Sequence, residues 1–412
     1  MKRTQPHYPS LFGFLFFIAC AALLILTGLI VGLSALMTYS HEGQIDVSLI
    51  ILFVTTSFTG ILLGVASVVS LLKFMKQPLV DKFESTSVSG LGLVGGGIAA
   101  GLVIWIGSLV QSNPSINWLV LPILTVPAVA IPIWLLIRLG RKDLRPESHW
   151  RIWSTFGLSI SLTPILLFTL EIIIVIFIFL AVAIYVAVHP ELTTEFQSLS
   201  SQFMFTNPGS EEAMRAFVPY LTKPGVVVST VLFFSVIVPM LEEAFKPLGV
   251  WLLAGKLDSQ AQGFSLGALC GAGFALVETL NNSAQTDDWG IILFTRIGTG
   301  AMHITTSALI GGAIVLAWHE RRYLRLLGTY LLGVFLHGLW NFVAITNGFS
   351  SLLVIYGEHN NYRIVETATS VGLYILALIL IALLIDSNRK QPRETDILPS
   401  VEAIRDDDGS GI

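Results

Sequence analysis

Seven polar side chains in the second half of the chain have types and spacings that could do chemistry: Glu242, Glu243, Lys246, Glu278, His303, His337 and Asn341. All are set within otherwise apolar stretches. A charged side chain at the centre of a bilayer costs about 2.5–3.5 kcal/mol on insertion scales, so such groups face a wet interior and mark a functional site. Peptide hydrolysis calls for this inventory: a nucleophilic water, a base that works near neutral pH, and donors for a tetrahedral oxyanion. Paired carboxylates in a buried site can divide into one acid and one base. Glu242, Glu278, His303 and His337 could also supply three zinc ligands and leave a position for water. Alternatively, Glu242 activates water unaided while the imidazoles donate or orient. These stretches contain no Asp, no HExxH motif and no Ser-His-Asp arrangement, which argues against an aspartyl dyad and a serine triad.

Helical spacing assigns the groups different positions. Glu242 and Glu243 leave a helix about 100° apart and so have different jobs. Lys246 follows them by four and three residues, the order that favours an ion pair along a helix. His337 and Asn341, four apart, share one face and can point into one cavity. Pro239 and Pro247 bracket the glutamates, and each frees a backbone carbonyl that protein or water must satisfy. Arg296 is expected at the outer membrane interface, its long side chain reaching up to water. Glu171 stands alone at its level, open between a structural hydrogen bond and a substrate-side role. Cys20 and Cys270 have no metal-ligand spacing and read as packing thiols.

The elements that hold these groups are transmembrane helices. The 412 residues are 54% apolar and 12% charged, with a mean hydropathy of +0.77, which excludes a water-soluble globular domain of this size. Ten apolar runs can each cross a hydrocarbon core: 11–38, 47–72, 89–110, 118–137, 162–188, 226–254, 264–280, 291–318, 326–346 and 369–385. The fold class is therefore all-α, a polytopic bundle of about ten spans. The first run is too long for a signal-peptide core and reads as a retained span. Connector charge alternates, with 18 basic residues on one side against three on the other, which places both termini in the cytoplasm. No basic patch suggests nucleic acid. On this topology Glu242, Glu278, His303 and His337 all lie about 21–23 Å from the cytoplasmic boundary, so four spans bring them to one level in the outer half of the bilayer. Glycines four apart (Gly60 and Gly64; Gly92, Gly96 and Gly97; Gly263, Gly267 and Gly271) mark close helix approach. The organisation reads as a five-helix membrane region over 1–190 with no assigned role, an extracytoplasmic loop over 191–225 with a surface helix near 211–220, a catalytic membrane region over 226–385, and a disordered cytoplasmic tail over 386–412.

The strings Glu242-Glu243-Ala244-Phe245-Lys246, Phe274-Ala275-Leu276-Val277-Glu278, the lone His303, and His337-Gly338-Leu339-Trp340-Asn341 resemble the PrsW family of intramembrane proteases, with its EExxK, FxxxE, His and later His. That family is similar to the CAAX prenyl endopeptidases, in which a His stands where this chain has Glu278. The resemblance implies that Glu242 is the general base, Glu243 pairs with Lys246, Glu278 and His303 hold a water or a metal such as zinc, and His337 with Asn341 stabilises the oxyanion. It also implies a prokaryotic plasma membrane and membrane-anchored substrates, anti-sigma-factor-like regulators among them; the depth of the polar groups predicts cleavage near the outer face. The alternative reading is a proton-coupled transporter that uses the Glu and His groups as a relay. No internal duplication of the kind common in carriers is visible. A scaffold that holds membrane partners is a third reading, which would require a degenerate site.

Overall fold

A computed structural model describes residues 7–43, 45–82, 89–145, 147–189, 193, 197, 210–284, 288–357 and 360–392. These residues hold helices and no strand, and ten helical segments are long and apolar enough to cross a membrane. The chain runs through α1 (Tyr8–Glu42), α2 (Val47–Phe74), α3 (Gly90–Val110) and α4 (Asn117–Arg141). The fifth segment is two helices, α5 (His149–Ile160) and α6 (Leu162–Ala187), broken at Ser161. Pro164 offers no N–H to the Ile160 carbonyl, which accounts for the break. Arg151, expected in an aqueous connector, instead lies within α5, where its guanidinium donates to Glu147 at 3.1 Å and to the Lys256 carbonyl at 2.9 Å. Then follow α7 (Glu211–Phe217), α8 (Pro224–Leu232), a π-helical turn (Phe233–Ile237), α9 (Val238–Phe245), α10 (Leu248–Leu253), α11 (Gln260–Asn282), α12 (Trp289–Glu320), α13 (Tyr323–Ile355) and α14 (Arg363–Arg389).

The described residues form two compact units. The first draws on Met1–Pro164, Glu243–Gly333 and Ala377–Ile412; the second on Ile165–Glu242 and Val334–Leu376.

In the first unit α11 and α12 are the central pair: 89% and 94% of their apolar windows are buried, far more than in any other span. Small residues make this possible. A Cβ on Gly263, Gly267 or Gly271 would collide with the backbone carbonyl of Gly311, Ser307 or His303, respectively, so the two helices touch main chain to main chain. Leu266, Leu269 and Cys270 of α11 pack with Ile310, Ile314 and Val315 of α12 and with Val250 of α10. Elsewhere the glycine expectation divides. Gly60 sits against the Ala21 carbonyl and Gly96 against Leu135, whereas Gly64 and Gly97 face open space and Gly92 meets only its own helix cap, Ser89. Two buried donors here find partners on other helices: Arg141 Nε donates to Ser265 Oγ at 2.9 Å and Trp289 Nε1 to Thr125 Oγ1 at 3.0 Å. The expected tail from 386 does not begin there. α14 continues to Arg389, and Asn388 is buried because its amide donates to the carbonyls of Gly140 and Lys142. Residues 393–412 of that expected tail lie outside the described residues.

In the second unit α6 presents Phe168, Phe177 and Phe179 outward, as a lipid-facing span does. The helix expected near 211–220 is α7 followed by a 3₁₀ turn, Val218–Tyr220. It is not merely on the surface, because Val218 and Leu221 are buried against Leu353 of α13. Asn347 of α13 donates to the Glu366 carbonyl and the Ser370 hydroxyl of α14 at 2.9 and 2.8 Å. Most of the 191–209 loop is outside the described residues.

Candidate active site

Within the first unit, five side chains form a row of hydrogen bonds and ion pairs. Lys246 is fully buried, and its ammonium donates to Glu243 Oε1 and, at 2.7 Å, to His303 Nδ1. An ammonium has no acceptor, so Nδ1 must carry the lone pair and the imidazole proton sits on Nε2. That nitrogen meets Glu278 Oε2 at 2.8 Å, and the other oxygen of Glu278 forms an ion pair with Arg296 Nη2 at 2.8 Å. The row therefore reads carboxylate, ammonium, neutral imidazole, carboxylate, guanidinium, each charge beside an opposite charge or a dipole turned towards it. This matters because a buried charge whose partner is removed costs about 3–5 kcal/mol. Phe274 completes the setting: its ring lies 5.5 Å from the Lys246 ammonium and edge-on to His303 at 5.1 Å.

The sequence dictates these positions locally. Pro247 ends α9 because it has no N–H for the Glu243 carbonyl, which leaves Lys246 in a turn between α9 and α10. The Ala244 carbonyl, also at the break, accepts from the Trp251 indole at 3.2 Å. Gly271 lets α11 lie directly on the His303 backbone, so Phe274 and Glu278, three and seven residues on, reach the imidazole from the same helix face.

Arg296 corrects an expectation. It does not reach out to water; its side chain is 17% exposed and is spent on Glu278. Seven residues separate Arg296 from His303, which puts both on one face of α12, a signal present in the sequence. Glu278 thus has one carboxylate oxygen against His303 and the other against Arg296.

Within the second unit, α13 lies on the π-helical turn that precedes α9. Pro239 has no N–H for the Ser235 carbonyl, and Gly338 sits so close to that oxygen that a Cβ would collide with it. The Asn341 amide donates to the neighbouring Phe234 carbonyl at 2.8 Å. So Asn341, which shares a face with His337, spends a donor on holding α13 to the turn. That contact sets His337 Nε2 3.9 Å from Glu242 Oε2. The π-turn and Gly338 were not singled out as functional by sequence reasoning. Glu171 is half-buried on α6.

Glu242, His303 and His337 are all buried, and a carboxylate with two imidazoles is a group that could hold a metal ion. The Glu278–His303 bond is the carboxylate–histidine pairing that orients metal-ligating imidazoles.

These features define a multi-pass helical membrane protein with buried carboxylates and imidazoles of the kind used for hydrolysis. Residues 162–382, slightly over half of the chain, match the PrsW family intramembrane metalloprotease, and the chain belongs to that family. It is a peptide hydrolase by family. The match takes in α6 as well as the motif-bearing helices. Neither the curated proteins nor the solved structures include a match to this chain.

Proposed function

We propose that this protein cleaves peptide bonds of membrane-anchored proteins with a water that Glu242 deprotonates, and that Glu242, His303 and His337 act as one centre. The burial of one carboxylate and two imidazoles in a chain of this family carries the reading. Glu242 accepts the proton of the attacking water as oxygen bonds to the scissile carbonyl carbon. With no ion at the centre, His337 donates to the carbonyl oxygen as it becomes an oxyanion. The C–N bond then breaks, and the proton held by Glu242 goes to the departing amine. Glu243 is not a second base, because Lys246 holds it.

The donor set suits a divalent ion of the zinc class, and Glu242, His303 and His337 would be the residues that hold it. Such an ion polarises the substrate carbonyl and acidifies water. His303 could offer Nδ1 only if Lys246 releases it, whereas Glu278 already fixes the Nε2–H tautomer that this requires.

Basic residues clustered on alternate connectors support cytoplasmic termini in the cell membrane, with the centre in the outer half of the bilayer and cleavage near the outer face. Regulators anchored by one span, such as anti-sigma-factor-like proteins, are the proposed substrate class. A proton-coupled carrier fits less well, since Lys246 locks Glu243 and His303 into a fixed row. The test compares the full chain with Glu242→Gln in vesicles holding single-span substrates, with bound metal measured alongside. General-base loss should lower cleavage by about 10²–10⁴-fold. Undiminished cleavage by Glu242→Gln, or gradient-driven uptake in place of cleavage, would remove the basis of the proposal.

A further inference from the structure

Away from the catalytic residues, the first unit holds two cavities that share a wall. One is polar, about 440 Å³, and lies at the helix ends where basic residues gather: the end of α2, the start of α5 and the start of α11. The other is mainly apolar, about 370 Å³, and runs between α1, α5 and α10, with Phe12, Phe16 and Leu252 among its walls. Trp150 and Lys256 line both.

Charge within the polar cavity is nearly matched. Lys73 pairs with Asp81 at 2.5 Å, Arg151 with Glu147 at 3.1 Å and Arg145 with Asp258 at 3.8 Å. Lys256 has no carboxylate partner among the described residues, so the described lining carries one net positive charge, at the seam between the cavities. Its effect is felt nearby: burial, and then the charges of Lys73 and Lys256, lower the pKa of His7. Two buried nitrogens, Trp150 Nε1 and His7 Nδ1, face no hydrogen-bond partner among the described residues. The Trp150 indole can only donate. A ligand that fits must therefore bring one negative charge with acceptor oxygens at the seam and a hydrocarbon chain for the apolar arm. Solvating lipid meets both requirements, and tryptophan and lysine at a span end are the side chains that sit at headgroup level.

We propose that the joined cavities hold one anionic phospholipid, with its headgroup phosphate at Lys256 and the Trp150 indole and an acyl chain in the groove between α1, α5 and α10. This gives part of the first five helices a binding role independent of proteolysis. It also seats a lipid on α10, the helix that begins two residues after Lys246.

The experiment incorporates the full chain into nanodiscs of equimolar phosphatidylglycerol and phosphatidylcholine with identical acyl chains, then measures retained lipid by native mass spectrometry after release into detergent. Wild type should retain phosphatidylglycerol in preference. Lys256→Glu should cut that retention about tenfold, the loss of one charge-assisted contact, and the milder Lys256→Gln should cut it in the same direction. Gly13→Leu fills the apolar arm without touching the cations and should also lower retention. Lys390→Glu, an exposed cation paired with Asp386 elsewhere, should not. Equal retention of both lipids, unchanged retention in a monodisperse Lys256→Glu or Lys256→Gln protein, or inorganic phosphate displacing the lipid headgroup without loss from Gly13→Leu would each overturn the proposal. So would a second copy of the chain occupying the groove, seen as a dimer that phosphatidylglycerol dissociates.

Discussion

At the level of single residues, the row from Glu243 to Arg296 explains why so many ionisable groups coexist out of water. Each one is another's partner, so a substitution is felt by its neighbours. Arg296→Ala should free Glu278, let the His303 ring reorient and lower kcat by about 10–100-fold, the usual loss when an outer partner of a functional imidazole goes. Arg296→Lys should recover part of it. A full rate in Arg296→Ala would show that the clamp is only structural. A second residue with a distinct signature is Glu147, in the connector before α5 and fully buried. Burial raises its carboxyl above the ordinary 4.5, while Arg151 opposes the rise. A raised folded value favours the protonated form, so this group's contribution is fullest below pH 4.5 and fades as pH climbs through the folded value. Thermal unfolding across weakly acidic pH should therefore be flatter for Glu147→Gln than for wild type, and identical slopes would contradict the assignment.

At the level of elements, backbone contact rather than side-chain bulk sets how the helices of the candidate site meet. α11 and α12 meet through glycines, and α13 meets the π-turn through Gly338. An added methyl at these contacts must push backbone, the costly form of overpacking, worth about 1–3 kcal/mol each. Gly267→Ala should mainly lower the unfolding temperature, since it separates α11 from α12 one turn away from His303. Gly338→Ala should do something different. It shifts His337 against Glu242 and should reduce cleavage more than stability, which an activity assay alongside unfolding would resolve. Equal and small effects from both would mean that the helices can move apart freely. The π-turn is part of the same device: Pro239 removes a donor, a carbonyl is left over, and Asn341 uses the neighbouring carbonyl to hold α13.

At the level of the whole molecule, ten spans and the asymmetry of basic connectors lead to one topological expectation. Single cysteines placed at 3 and 390 should react with impermeant reagents only from the cytoplasmic side, and one at 223 only from outside; the reverse would invert the placement of the site. Composition and hydropathy sufficed for the all-helical, ten-span architecture, because burying backbone in lipid leaves helices as the solution for a chain with these apolar runs. The polar groups announced themselves for the same reason, as costs that lipid does not tolerate. The glycine spacing on α11 told of a close neighbour, though it could not name α12. What the sequence could not convey is who pairs with whom. Arg296 looked like an interfacial cation, and Asn341 like a free oxyanion donor; tertiary structure spent the first on Glu278 and the second on Phe234. Spacing along one helix fixes the face a side chain takes. Only the packing of separate helices decides which partner waits there, and hence which lone pairs and protons remain for chemistry.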